Sequence, residues 1–210
     1  MPPALIRVQF RFFLLTILVC SCFTPAFAAT ETIAILPFVN NSFTDHAKYE
    51  PLGPGLAAML MTDLVQYAPD LKVIERQKLA AVLKEVALSQ AGVVDMSSGV
   101  EAGRILGAAN IALGSFTVLG PQVRLDARIV RVETSEILGA ESIMGSSDLL
   151  LSLEQQLAKK IAESFNADWK GSSTQKISGN LDAGLLYSQG VTAWDKGDRE
   201  SAEKFFQEAA

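Results

Sequence analysis

Thiols are nearly absent from this sequence, and histidine is scarcer still. Its two cysteines, Cys20 and Cys22, both fall in the first 28 residues, and its one histidine is His46. Loss of that N-terminal segment would leave a chain with no disulfide, no thiolate metal site and no cysteine nucleophile. A lone histidine excludes His-x-x-x-His metal sites and makes any hydroxyl–imidazole–acid triad depend on His46 alone. There is no Gly-x-Ser-x-Gly elbow and no Gly-Lys-Ser/Thr phosphate loop. No cofactor is expected. Basic charge is also short: 18 Lys and Arg stand against 23 Asp and Glu, and removing Arg7 and Arg11 with the leader takes the net charge from −5 to −7. No basic face stands out, so nucleic acid is not an expected partner.

The first 28 residues themselves read as a signal peptide. Arg7 and Arg11 form a basic start, and Phe12 to Cys20 is an apolar run too short to span a membrane as a stable helix. Ala26-Phe27-Ala28 supplies the small-x-small pattern for cleavage between Ala28 and Ala29. Val19-Cys20-Ser21-Cys22 competes as a lipobox, with lipidation at Cys22 tethering the same domain to a membrane surface. Export without cysteines fits a bacterial periplasm.

About 180 residues then remain, enough for one sizeable core and a small appendage. The expected order is β-α-β-α-α-β-β-β-α, an α/β (α+β) domain over residues 29–166 with a mixed sheet of about five strands. The first strand, Thr32 to Phe38, is apolar on both faces over Ile33-Ala34-Ile35-Leu36 and so belongs in a sheet interior. Residues 39–53 read as a polar loop. A helix follows over Pro54 to Ala68, with Met59, Leu60, Asp63, Leu64 and Tyr67 at helical spacing. Gly53-Pro54-Gly55 is taken as its initiation. A strand at Leu71 to Glu75 leads into a helix over Gln77 to Gln90, and Ser98 and Glu101 have the spacing of a capping box for a short third helix. Strands follow at 110–119, 122–130 and 137–144. The middle one alternates strictly, with Val123, Leu125, Ala127 and Ile129 on one face and Arg124, Asp126 and Arg128 on the other. A helix over 148–165 buries Leu150, Leu153, Leu157, Ile161 and Phe165.

Residues 167–180 have the composition of a flexible linker. Residues 181–210 read as a helical hairpin, with Leu186, Gly190, Gly197-Asp198, Ala202, Phe206 and Ala209 at the spacing of a tetratricopeptide repeat. One such unit cannot bury its apolar face alone. Further repeats after residue 210, the first domain, or another chain must cover it.

Several of these residues carry a family resemblance. Ile33-Ala34-Ile35-Leu36-Pro37-Phe38, Val73-Ile74-Glu75-Arg76, Leu79, Leu83, Glu85, Leu106-Gly107-Ala108, Gly114-Ser115 and the hairpin from Val123 to Leu138 resemble the curli secretion channel family, CsgG, over about residues 31–166. Lipoprotein activators of peptidoglycan synthases and the N-terminal domain of TolB look similar too. The resemblance implies a periplasmic α/β domain. The family's long membrane hairpins have no counterpart here, because the connections at 91–97, 120–122 and 133–136 are too short and residues 39–53 too polar.

The expected function is a non-catalytic, periplasmic interaction and assembly module of the cell envelope. Its partners would be envelope or secretion proteins, and it would meet a membrane only if lipidated or in a complex. Glu75-Arg76 is the candidate interaction or structural pair, with Arg76 pairing a neighbouring acid in the structural version. Arg124, Asp126 and Arg128 are the candidate surface. The alternatives are an outer-membrane lipoprotein subunit of a homo-oligomeric secretion channel and, less favoured, a cell-wall hydrolase using His46.

Overall fold

Strand β1, Thr32–Ile35, is where the core begins. In a computed structural model describing residues 31–85, 96–171 and 179–210, Ile33, Ala34, Ile35 and Leu36 are fully buried. That is the expected consequence of an apolar run covered on both faces. Cys22, Ala28, Ala29 and the expected helical residues 86–90 lie outside the described residues.

The strand does not run on to Phe38. The Leu36 amide still donates to the Ala112 carbonyl at 3.1 Å, but Pro37 has no N–H, and the Phe38 amide turns to the Gly53 carbonyl at 3.2 Å. The ladder breaks at the proline and resumes as β2, Val39–Asn40. Residues 39–53 are therefore not all loop: they hold β2 and a short helix, α1, His46–Tyr49.

Helix α2 spans Leu52–Tyr67, so Gly53-Pro54-Gly55 lies within its first turn. A proline is tolerated there because first-turn amides have no intrahelical acceptor. Strand β3, Lys72–Val73, leads into α3, Arg76–Glu85. Helix α4 is Met96–Leu106. Ser98 thus lies inside a helix instead of capping one, and Glu101 pairs with Arg104 at 3.0 Å. The expected capping box fails because an N-cap must lie outside the helix, and α4 already includes Met96 and Ser97. Gly107, at φ 66°, closes α4 in the left-handed region, which glycine enters without steric cost.

Strands β4, Asn110–Leu119, β5, Gln122–Arg131, and β6, Ile137–Ser146, form an antiparallel meander. The sheet order is β3-β1-β4-β5-β6, with β2 also against β4. Strands β1 and β2 run parallel to β4, as β3 does to β1. The molecule is an α/β protein on a mixed six-stranded sheet, β2 being the strand beyond the expected five. After a 3-10 turn at Ser147–Leu149, helix α5 spans Leu150–Ser164. The hairpin consists of α6, Leu181–Asp195, and α7, Arg199–Ala209.

Side chains alternate across a strand, which decides the layers. Ala112, Gly114, Phe116, Leu125 and Ile129 share the face covered by α2 and α5. Ile111 and Leu113 point the other way, against Gly99 and Gly103 of α4. Beyond the reach of α4 that second face is open, and there Arg124 and Arg128 are exposed.

Candidate functional site

Small residues seat the hairpin on the α/β domain. Helix α6 lies against α2 with Gly55 beneath Ser188, where a Cβ would come within 2.8 Å of the Ser188 Cα. At Gly184 a Cβ would meet Leu150 Cδ2 at 2.5 Å. Backbones can approach this closely only where side chains are missing. Ser188, fully buried, satisfies its hydroxyl by donating to the Gly184 carbonyl at 2.6 Å. Within the hairpin, the Phe206 ring fills the space over Gly190 and meets Tyr187 at 5.6 Å between centroids. Gly197, at φ 83°, makes the turn.

Arg76 bolts this arrangement together. Its guanidinium forms an ion pair with Asp195 of α6 and donates to the Val191 carbonyl at 3.1 Å. Glu75 is exposed and faces Lys78 at 3.9 Å. Arg76 therefore pairs with an acid, but across the hairpin seat, more than one hundred residues away in sequence. Arg76→Ala is expected to weaken the seat by about 1 kcal/mol, since half-exposed ion pairs contribute ~0–1 kcal/mol and the bond to Val191 adds a similar amount. Faster amide exchange confined to α6 and α7 is the check.

Two grooves flank the seat. One, of about 610 Å³, is lined by Met61, Val65, Ile74, Arg76 and Tyr187. The other, of about 590 Å³, lies between α2, α5, α6 and α7 and is lined by Met59, Asp63, Leu151, Glu154, Tyr187 and Phe206. Two acids in an apolar groove are the unusual element. Glu154 is only 3 % exposed, and its Oε1 has no hydrogen-bond partner among the described residues. Burial pushes its carboxyl well above 4.5, and the charge of Asp63 pushes it further. Burial raises Asp63 too, partly offset by a hydrogen bond with Gln155. Tyr187 is raised by burial, with Arg76 opposing and Glu154 reinforcing the shift.

A carboxyl with a raised folded pKa keeps its proton longer in the folded state than in the unfolded one. Stability is then full below the unfolded value and falls as pH rises towards and through the folded value. Glu154→Gln is expected to remove that fall. Its Tm should match the parent near about pH 4 and exceed it at about pH 8, by roughly 2–4 °C for each kcal/mol of the buried-charge penalty. Parallel Tm–pH curves for the two proteins would contradict the burial argument.

The other sequence candidates lie apart from this seat. Arg124 grips Asp126 through Nε and Nη2 at 2.8–3.0 Å, which lowers the Asp126 carboxyl against the opposing effect of its partial burial. Arg128 is exposed on the same open strand face. His46 opens α1 with Nε2 at 3.1 Å from the Asn40 carbonyl and Nδ1 at 3.5 Å from Glu50. The start of the expected linker is pinned: the Trp169 ring packs at a tilt against Tyr67, with centroids 5.1 Å apart, and the Lys170 amide donates to the Tyr67 carbonyl at 2.7 Å. Residues 172–178 lie outside the described residues. Among the described residues no cluster of three or more His, Cys, Asp or Glu could hold a metal ion, and no helix is long and apolar enough to cross a membrane.

Glu154 was not among the sequence candidates, although a signal existed. It sits four residues after Leu150 and three before Leu157, on the buried stripe itself. Asp63 likewise falls on the apolar spacing of α2.

No curated protein matches the chain. Among solved structures, the LpoB C-terminal domain from Salmonella enterica is similar at 15 % identity, with a TM-score of 0.45, over 58 % of this chain and 87 % of that one. The solution structure of LpoB from Escherichia coli shares 16 % identity, with a TM-score of 0.47, over 57 % of this chain and 59 % of that one. The PelC dodecamer from Paraburkholderia phytofirmans shares 15 % identity, with a TM-score of 0.38, over 67 % of this chain and 92 % of that one. The family match is in sequence: residues 25–124, from ahead of β1 through the start of β5, match the model of the curli production assembly/transport component CsgG. The chain is thus similar to the CsgG family over residues 25–124, and that match supports a module of the cell envelope or of secretion.

Proposed function

We propose that this chain is a non-catalytic interaction module working in the periplasm, which binds envelope or secretion proteins through surfaces built on a CsgG-like domain. The observation that carries this reading is the seat of the hairpin. With α6 packed against α2 at Gly55 and Ser188 and against Leu150 at Gly184, two adjacent grooves flank the seat, and residues of the hairpin line both. Apolar clefts with a few placed polar groups are where proteins take up ligands and partner segments. The open Arg124–Asp126–Arg128 face would serve as a second contact.

Purified protein immobilised and exposed to envelope extract should retain a defined partner. Retention should drop when the hairpin is unseated or when Arg124 and Arg128 are replaced together by Glu. Recovery of no partner under several salt conditions would defeat this reading.

A second reading is a subunit of a homo-oligomer. Strand β6 is an open sheet edge carrying exposed Ile137, Leu138 and Met144, and such edges invite pairing with another chain. Native mass spectrometry of the exported, mature protein separates the two: a closed ring favours the subunit, a monomer the solitary module. The same spectrum would report a lipid at Cys22 or a free start at Ala29.

A further inference from the structure

Among the described residues, the side chains lining the groove between α2, α5, α6 and α7 include two carboxyl groups and no base. Lys159 and Lys160 of α5 are engaged with Glu163 and Glu141, and Arg76 is engaged with Asp195 across the neighbouring groove. Asp63 and Glu154 have no cationic partner among the described residues. Burying an acid without a counter-ion or a full set of hydrogen bonds is costly, and Glu154 Oε1 has no hydrogen-bond partner among the described residues. Around the two acids the wall is apolar: Met59, Leu151, Tyr187 and Phe206. A hard cation is poorly served: such ions want six or more oxygens, and besides the two carboxylates the described side chains lining the groove offer only the hydroxyls of Thr62 and Tyr187.

We infer that this groove receives a lysine side chain from a partner polypeptide. The four-carbon stem would lie along Met59, Leu151 and Phe206, and the ammonium would meet Asp63 and Glu154. The rings of Tyr187 and Phe206 would add cation–π attraction. Lysine suits the site because its compact ammonium carries three donors on a flexible apolar stem. The bound cation supplies the hydrogen bond that Glu154 lacks and keeps both carboxyls ionised. This rests on the interaction-module reading and names the chemistry of the partner at its main site.

The probe is the blocked peptide acetyl-Ala-Lys-Ala-amide, titrated into the full chain near neutral pH and followed by amide NMR. Saturable shifts are expected at Asp63, Leu151, Glu154 and Gly184. The norleucine peptide, with the stem but no ammonium, should bind at least tenfold more weakly. Glu154→Gln and Asp63→Asn, both near-isosteric, should each weaken the lysine peptide about fivefold or more while leaving the circular dichroism spectrum unchanged. Equal binding of the norleucine peptide, shifts centred elsewhere, or an unaltered affinity in Glu154→Gln would each overturn the inference. If envelope extract still yields a partner that Glu154→Gln retains fully, the module reading survives and this inference alone falls.

Discussion

Gly55→Leu is expected to unseat the hairpin while leaving the α/β domain folded. The position lies in the first turn of α2, where any Cβ overlaps the Ser188 hydroxyl and comes within 2.8 Å of the Ser188 backbone. A hydroxyl can rotate aside, but the Cα of a buried helix cannot move without the helix. Leucine is a better helix former than glycine by about 0.8 kcal/mol, so α2 itself gains and any loss belongs to the seat. Overpacking of this kind costs about 1–3 kcal/mol and occasionally more. The opening equilibrium of α6 and α7 should then rise roughly 5- to 150-fold. Hydrogen exchange reads it directly: amides of residues 181–209 should lose protection, whereas β4 and β5 keep theirs. Uniform loss across the sheet would show that the hairpin is an integral part of the domain's folding unit. Loss of the groove should also cost partner retention, which ties this stability measurement to function.

Phe38 and Gly114 should behave as one unit. The Phe38 ring occupies the place where a Gly114 side chain would be, with Cδ2 at 2.5 Å from the missing Cβ. From the other side, the Phe38 carbonyl fills the space over Gly53. Gly114→Val therefore drives a methyl-bearing carbon into an aromatic ring at the centre of the sheet, despite the higher strand propensity of valine. The expected loss is at or above about 3 kcal/mol, and Phe38→Ala alone should cost about 3–5 kcal/mol. The double variant should be less harmful than the sum, with a coupling of about 1–3 kcal/mol, because the space vacated by the ring accepts the valine. Chemical denaturation of the four proteins measures the cycle. Strict additivity would mean that the two residues do not compete for one volume.

Much of the architecture was legible because it depends on local pattern. The alternation of Val123, Leu125, Ala127 and Ile129 with Arg124, Asp126 and Arg128 specified β5 and its faces. The stripe Leu150, Leu153, Leu157, Ile161 specified α5, and Gly197-Asp198 specified the hairpin turn. Where one residue outweighed the pattern, the reading slipped. Pro37 split the first strand by withholding a single amide. Ser98 and Glu101 had a cap's spacing, but Ser98 falls inside a helix that is already formed at Met96.

The order of elements was set by the amino-acid sequence alone, since propensity and periodicity act over a few residues at a time. Where the hairpin lands was decided only in three dimensions. Its seat depends on Gly55 meeting Ser188 and Arg76 meeting Asp195, contacts between residues more than a hundred positions apart that no local period encodes. The same holds for Asp63 and Glu154. Each looks like one stray acid on an apolar stripe, and only the packing of two helices and a hairpin brings them into one groove, with Glu154 buried and Asp63 half-buried beside Gln155. Burial and mutual repulsion are properties of that assembled environment, and the free chain, solvated by water, has neither.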